Sequence, residues 1–160
     1  MNEENFAQAI KLATEGLIKP FEGYHRRLPD GGCKAYPDPG TGGVPWTIGW
    51  GSTGPDITPD TVWNLEQAQD RLRAEVEHFA GAVLKLSPNL DEVAPRRFAA
   101  IISFAYNCGV GNYRISTLRK RVNAQDWSGA QEEILKWNKA AGRVLPGLTR
   151  RRAAEAELLR

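Results

Sequence analysis

The spacing of apolar residues divides the chain into helical segments and one segment without helical periodicity. In the opening segment, apolar side chains recur three or four positions apart, at Phe6, Ile10, Ala13 and Leu17. This spacing predicts an amphipathic helix. Pro20 lacks a backbone N–H, so we expect the helix to kink or restart just before Glu22.

The helical period is lost between Cys33 and Ile57, within a part of the chain at about residues 23–64 where Gly and Pro are frequent. The segments "KAY" and "WTIGW" predict short strands around a Gly/Pro-rich turn. We therefore predict a small antiparallel sheet lobe in this part of the chain.

A long helix is predicted over about residues 65–86. Asn64 is a suitable N-cap with Gln67 three residues later. An apolar stripe follows, at Leu65, Ala68, Leu72, Val76, Phe79 and Val83. This helix is long enough to bridge two lobes of one domain.

Further helices are predicted over about residues 87–160, where Pro95 and Pro146 suit first helical turns and Ser116 and Ser128 suit caps. These helices form the larger lobe, on which we expect the N-terminal helix to pack. The predicted fold class is α+β, with residues 1–160 as one domain.

Charge and targeting signals narrow the possible functions. Residues 81–160 carry 14 Lys and Arg against 7 Asp and Glu, and the first half is acidic. A basic half indicates either an anionic partner or solvated helix faces. No apolar run approaches the about 18 residues of a membrane span, and the acidic start "MNEENFAQ" is unlike a signal peptide.

Metal, nucleotide and disulfide chemistry have little support in the sequence. Cys33 and Cys108 are far apart and lack metal-ligand spacing, so we expect free thiols, with Cys33 reactive in a loop and Cys108 buried and inert. His25 and His78 are isolated and are predicted to be surface residues. A Gly-rich phosphate loop after a strand is absent.

Two carboxyl groups lie in contrasting surroundings near the start of the predicted sheet. Glu22 ends an apolar run between Phe21 and Tyr24, and such surroundings favour the protonated form of a carboxyl group. Asp38 lies in a polar turn between two prolines, which favours the ionised form. One acid and one base are what cleavage of a glycosidic bond requires, although an Asp in "PDPG" is most often a turn former.

The order of several motifs resembles the catalytic segment of phage-type lysozymes, the endolysins that cut peptidoglycan. The motifs are "FEG", "CKAYPDP", "WTIGWGST", "RFAAIISFAYNCGVG", "STLRKRVNAQDWSGA" and "KWNKAAGRVLPGLTRRRAAEAEL". The resemblance extends over nearly the whole chain from about Gly16. It implies a lysozyme-like fold and hydrolysis of the β-1,4 bond between N-acetylmuramic acid and N-acetylglucosamine, without metal or cofactor.

The resemblance also implies roles for single residues. The family's catalytic acid falls on Glu22, its second carboxylate on Asp38 and its water-positioning hydroxyl on Thr47. An Arg of the last helix approaches the acid in the family, and among Arg150 to Arg152 the alignment favours Arg151. Asn107 is a candidate for the cleft floor, although an Asn at a helix end is also a common cap.

One departure from the family is the length of two loops. The segment "HRRLPDGGCK" between the two carboxyl residues and the segment "PGTGGVP" before Trp46 are longer than usual. Longer surface loops cost little free energy, but they change the outer shape of a cleft and therefore its sugar subsites.

Two alternative functions remain open at this point. A lytic transglycosylase acts on the same substrate with one acid, and the presence of Asp38 and Thr47 argues against it. A non-catalytic basic module that binds wall polymer or nucleic acid is the other alternative, and the "FEG" and "TIGWG" motifs argue against that one.

The expected partner is therefore bacterial peptidoglycan, and not nucleic acid. We expect a monomer whose basic half makes transient contact with anionic polymer or the outer membrane. The protein is expected to be made in the host cytoplasm and to reach the periplasmic wall through a membrane pore.

Overall fold

A computed structural model describes all 160 residues. Its α-helices are α1 (Glu3–Ala13), α2 (Lys19–Glu22), α3 (Leu65–Leu86), α4 (Pro95–Cys108), α5 (Val110–Ile115), α6 (Thr117–Asn123), α7 (Trp127–Leu135) and α8 (Pro146–Leu158). A π-helical turn (Thr14–Ile18) and a 3-10 turn (Pro88–Asp91) complete the helical elements. The strands are β1 (Cys33–Lys34), β2 (Val62–Trp63), β3 (Lys139–Ala140) and β4 (Arg143–Val144). This mostly helical architecture with small antiparallel sheets confirms the predicted α+β class.

The chain forms two compact units. The larger unit contains Met1–Phe21 and Val76–Arg160, and the smaller unit contains Glu22–Glu75. The boundary between them falls inside α3. None of the helices combines the length and the apolar character needed to cross a membrane.

The core of the larger unit is built around α4. Every residue from Phe98 to Ala105 is buried, and Pro95 occupies the first turn as predicted. Helix α1 packs on α4, where the Phe6 and Phe98 rings lie 5.9 Å apart. The Asn5 side chain donates to the carbonyl of Leu90 at 3.1 Å, so this buried amide has a partner.

The opening helix does not break at Pro20. The helical run instead widens into the π-helical turn (Thr14–Ile18) and continues as α2 to Glu22. Pro20 lacks the N–H that an α-helix would use at this position, and the rare π-helical conformation occurs mostly as a single turn within a helix, as it does here. The irregularity therefore lies several residues earlier than the sequence predicts.

The smaller unit contains less regular sheet than expected. Strand β1 pairs antiparallel with β2, with Cys33 opposite Trp63. The segment "WTIGW" is not a strand, because its residues form only isolated bridges: Thr47 with Tyr36, and Ile48 with Ser52. Positive φ angles at Gly49 and Gly51 turn this segment back on itself, which a continuous strand would not allow.

Helix α3 begins as predicted. Asn64 Oδ1 accepts from the Gln67 N–H at 2.8 Å, and Gln67 Oε1 accepts from the Asn64 N–H at 2.9 Å. The stripe residues Ala68, Leu72, Val76 and Val83 are buried. Leu65, the first residue of α3, is 41% exposed.

Two local predictions in the larger unit need correction. The N-cap of α7 is Asp126, whose carboxylate accepts from the Gly129 N–H at 3.0 Å, and Ser128 lies inside the helix. The β3–β4 hairpin was not predicted, since its four residues are all exposed and show no alternation. The predicted cap Ser116 is confirmed by its bond to the Arg119 N–H at 3.0 Å.

The two cysteines are free thiols with burial opposite to the expected pattern. Cys33, a residue of β1, is 0% exposed, whereas Cys108 is only partly buried at the end of α4. Burial raises the pKa of the Cys108 thiol, and the nearby Arg152 guanidinium opposes this shift. The loop composition around Cys33 was misleading because backbone pairing draws the residue inward.

We expect Asn64→Ala to lower the free energy of unfolding by about 1 kcal/mol, because the Gln67 N–H loses its acceptor, Asn64 Oδ1. Urea denaturation followed by circular dichroism measures the change. Gln69→Ala is the control, since Gln69 is exposed within the same helix. An equal loss in both variants would contradict the capping role.

Native-state labelling by a thiol reagent should occur at Cys108 and not at Cys33. The rate should increase with pH beyond the range of an unhindered thiol, since the thiolate reacts and burial raises the pKa of Cys108. Comparing Cys33→Ala with Cys108→Ala measures each site. Rapid labelling that survives in Cys108→Ala would show that Cys33 is accessible.

Candidate active site

A cavity of about 680 Å³ lies in the smaller unit and contains the predicted catalytic residues. Its lining consists of Glu22, His25, Arg26, Tyr36, Asp38, Pro39, Pro45, Thr47, Gly51 and Thr53. The three side chains that the motifs single out therefore share one cavity. Its volume is in the range of ligand pockets.

Glu22 is the last residue of α2 and is half-buried. Gly51 approaches it closely: a Cβ atom built on Gly51 would lie 3.2 Å from Glu22 Oε2. His25 Nε2 lies 3.0 Å from the Glu22 carbonyl oxygen. The Gly51 backbone thus lies close to the Glu22 carboxyl group within the cavity.

Asp38 and Thr47 are brought together by backbone hydrogen bonds. The Tyr36 N–H donates to Thr47 O at 2.8 Å, and the Thr47 N–H donates to Tyr36 O at 2.9 Å. Beyond this bridge, the Asp38 N–H donates to Gly43 O at 2.9 Å and Asp38 O accepts from the Gly42 N–H at 2.7 Å. These bonds fix the ends of the loop and orient Asp38 toward the cavity that it lines.

The segment that follows Gly51 is held to α3 by Arg71. Its guanidinium donates to Glu75 Oε1 at 2.9 Å, to Asp56 Oδ2 at 2.7 Å and to Thr53 O at 2.8 Å. The Arg71 contact lowers the pKa of the Asp56 carboxyl group. Ser52 donates to Glu75 Oε2 at 3.1 Å, which completes the network. The wall that contains Gly51 and Thr53 is therefore anchored on a helix.

Tyr36 reports the electrostatics of the cavity. The pKa of its phenol is raised, first by burial and then by the negative charges of Glu22 and Asp38. Both carboxyl groups therefore act on one neutral side chain in the cavity wall. Tyr36 stays protonated at neutral pH and is able to donate a hydrogen bond there.

Asn107 and Arg151 belong to the larger unit. Asn107 is exposed in the last turn of α4. Arg151 is 3% exposed, lies 3.4 Å from Ser103 Oγ and stands over the Phe21 ring at 5.9 Å. Their predicted roles in substrate binding remain predictions.

The neighbours of Arg151 differ from it in their surroundings. Arg150 is exposed, whereas Arg152 is fully buried and forms an ion pair with Glu155. Burial raises the pKa of Glu155 to about 7 although the two guanidinium groups oppose the shift. The Arg152 side chain is thus part of the core of the larger unit.

Several cavity residues were not identified from the sequence. His25 was predicted to be a surface residue; it is exposed, yet it also lines the cavity. Arg26 and Tyr36 were not singled out at all. The sequence did offer a sign that Tyr36 lines the cavity, since Tyr36 lies two residues before Asp38. Residues two apart in an extended segment face the same side, here the same cavity wall. Arg26 had none, because the path of a long irregular loop is not readable from composition.

A comparison with known protein families supports the resemblance indicated by the order of the motifs. The family model described as phage lysozyme matches residues 21–155. The chain belongs to the phage lysozyme family. The matched range contains all the predicted site residues, which confirms the resemblance drawn from the motifs.

Sequence alignments to two phage endolysins cover most of the chain. It is 40% identical over 149 residues to an endolysin of Bacillus phage B103, an alignment that covers 93% of this chain and 53% of that protein. An endolysin of Bacillus phage PZA is 38% identical over 152 residues, covering 93% of this chain and 54% of that protein. The chain thus spans about half the length of these two relatives.

Two solved structures support the same fold. The endolysin from Escherichia coli O157:H7 phage FAHEc1 superposes with a TM-score of 0.74 at 30% identity, covering 95% of this chain and 90% of that one. The muramidase domain of SpmX from Asticaccaulis excentricus superposes with a TM-score of 0.73 at 28% identity, covering 94% and 93%.

Gly51→Ala should lower the free energy of unfolding by about 1–2 kcal/mol, because Gly51 has a φ of 86° and its new Cβ would press on Glu22 Oε2. Urea denaturation measures the loss. Gly43→Ala is the matched control in the same unit, since a Cβ there meets no atom within 4 Å. If Gly43→Ala loses as much as Gly51→Ala, the close approach to Glu22 is not the cause.

Proposed function

We propose that this protein is an endolysin-type lysozyme, a glycoside hydrolase that cleaves the β-1,4 bond between N-acetylmuramic acid and N-acetylglucosamine in bacterial peptidoglycan. The observation that carries the proposal is the shared cavity of Glu22, Asp38 and Thr47. Membership of the phage lysozyme family implies a peptidoglycan-cleaving enzyme. The endolysin and muramidase titles of its relatives point in the same direction.

Glu22 acts as the general acid in this proposal. Its carboxyl proton passes to the glycosidic oxygen as the bond to the anomeric carbon breaks, so the leaving sugar departs as a neutral alcohol. The Gly51 backbone lies close to the Glu22 carboxyl group and limits the space open to this side chain on the cavity wall. A positioned acid favours the reaction, because less freedom is lost on reaching the transition state.

Asp38 and Thr47 handle the attacking water. The ionised Asp38 accepts a proton from water that adds to the anomeric carbon, and its charge also stabilises the cationic sugar as the bond breaks. Thr47 Oγ1 already donates to Pro45 O at 3.2 Å, which leaves its oxygen lone pairs available to a water proton. Two carboxyl groups and water complete the reaction, so no metal or organic cofactor is needed.

Hydrolysis is favoured over transglycosylation by the composition of the cavity. A transglycosylase needs one acid, after which a hydroxyl of the sugar itself attacks and a 1,6-anhydro ring forms. The second carboxylate and the hydroxyl of Thr47 in the same cavity support the use of water. We infer that the site of action is the periplasmic cell wall, with Asn107 and Arg151 as contributors to substrate binding.

The basic half of the chain has a proposed role in wall attachment. Residues 81–160 carry a net charge of +7, which attracts anionic wall polymer or the outer membrane over distances limited by salt. The attraction is proposed to raise the local concentration of a monomeric enzyme at its substrate.

Glu22→Gln and Asp38→Asn should each reduce the release of new reducing ends from purified peptidoglycan by at least about a hundredfold, since general acid or base catalysis is worth 10²- to 10⁴-fold. Both variants should still bind the wall. Mass spectrometry of the fragments identifies the reaction, because hydrolysis leaves reducing muramic acid and transglycosylation leaves the lighter anhydro sugar.

Glu66→Gln and Asp60→Asn are matched controls with the same charge changes at exposed positions of the smaller unit. Near-native rates in these controls are expected. Anhydro products would replace the hydrolase with a transglycosylase. Near-native cleavage by Glu22→Gln would remove the proposed acid.

A further inference from the structure

Arg26 is the one arginine that lines the cavity of Glu22 and Asp38. Its side chain is exposed and makes no hydrogen bond or ion pair with the rest of the protein. A guanidinium group with five donors and a permanent charge therefore faces the cavity without a protein partner.

The side chains of the neighbouring residues His25 and Arg27 are engaged elsewhere. The Arg27 guanidinium lies over the Tyr24 ring at 5.0 Å. The His25 ring packs edge-on against Tyr36 at 5.5 Å and contacts the Glu22 carbonyl oxygen. Arg26 is thus distinguished from the adjacent residues by its availability to a ligand.

The backbone at Arg26 is held in a conformation that arginine rarely adopts. Its φ is 54°, a left-handed value that glycine adopts without strain. The position is fixed, since the Lys34 N–H donates to Arg26 O at 3.1 Å and Arg27 bridges to Cys33. A long side chain kept at a strained position beside the two carboxyl groups points to a use for that side chain.

We propose that Arg26 is a specificity-determining residue that binds a carboxylate on the glycan substrate. This inference rests on the proposed function, and it extends it to the substituents of the sugar. The planar guanidinium matches a carboxylate with two parallel hydrogen bonds. Muramic acid residues bear a lactyl group, which either ends in a free carboxylate or is joined to a peptide with carboxylates of its own.

A purely electrostatic role for Arg26 predicts different kinetic effects from a role in binding a carboxylate. If Arg26 acted by stabilising the charge of Glu22 or Asp38, its removal would change kcat and the pH profile on every substrate. A carboxylate-binding role changes KM, and only where the substrate carries a carboxylate. The charge of the substrate therefore separates the two roles.

The test compares Arg26→Gln, Arg26→Lys and the control Arg27→Gln on three preparations of soluble glycan. The first carries stem peptides, the second has been stripped by an amidase so that lactyl carboxylates are free, and the third has every carboxyl group converted to a methylamide. We expect Arg26→Gln to raise KM about tenfold on a carboxylate-bearing preparation and to leave the methylamidated one unchanged. Arg26→Lys should recover part of the loss, and Arg27→Gln should match the native enzyme.

The first two preparations identify the source of the carboxylate. An increase of KM with the peptide-bearing glycan assigns the contact to the stem peptide, and an increase with the stripped glycan assigns it to the lactyl group. An equal loss on the methylamidated glycan, or no loss on any preparation, overturns the proposal. A shifted pH profile with unchanged KM overturns it as well.

A binding measurement separates this inference from the proposed function. Fluorescence anisotropy gives the Kd of labelled glycan for Glu22→Gln and for Glu22→Gln combined with Arg26→Gln, without any need for cleavage. A weaker Kd for carboxylate-bearing glycan supports the role of Arg26 even if the native protein releases no reducing ends. If the native protein cleaves the glycan but the two variants bind it with equal Kd values, the proposed role of Arg26 is wrong and the proposed function stands.

Discussion

Two backbone hydrogen bonds between Tyr36 and Thr47 are the constraint on which the candidate site depends. They close a loop of Gly and Pro residues that has little intrinsic order, and they do so next to two of the proposed site residues. Asp38 follows one end of the bridge and Thr47 forms the other. Because the donors and acceptors belong to the backbone, this arrangement tolerates changes in loop side chains.

The remaining walls of the cavity rely on polar contacts more than on a large core. The Arg71 network holds the segment after Gly51 to α3, and Glu22 is supplied by the end of the first helical run. Few apolar residues are buried in this unit, among them Ile48 and Ile57. Functional residues on loops held by a rigid element are a common solution, since loops vary in shape while the element fixes their ends.

Regular, periodic parts of the molecule were predictable from sequence, and non-local ones were not. Helices α3 and α4 and the Asn64 cap follow from spacing and cap chemistry, which act within a few residues. The β1–β2 pair does not, because two-residue strands carry no period and their partners are far apart in sequence. The burial of Cys33 was not predictable either, because it depends on the same long-range pairing. Motif order predicts Glu22, Asp38 and Thr47 as candidate site residues, whereas the candidate Arg26 requires the path of the loop.

The larger unit is assembled from both ends of the chain, and this has a consequence for its biosynthesis. Helix α1 buries Ala9 and Ala13 in a core centred on α4, which is translated about 80 residues later. Most helical stability in proteins comes from tertiary packing, so α1 lacks its main stabilising contacts until α4 has been made. Residues 22–75 are contiguous and are able to form their pairs as they emerge. Helix α1 is therefore synthesised well before its native contacts can form.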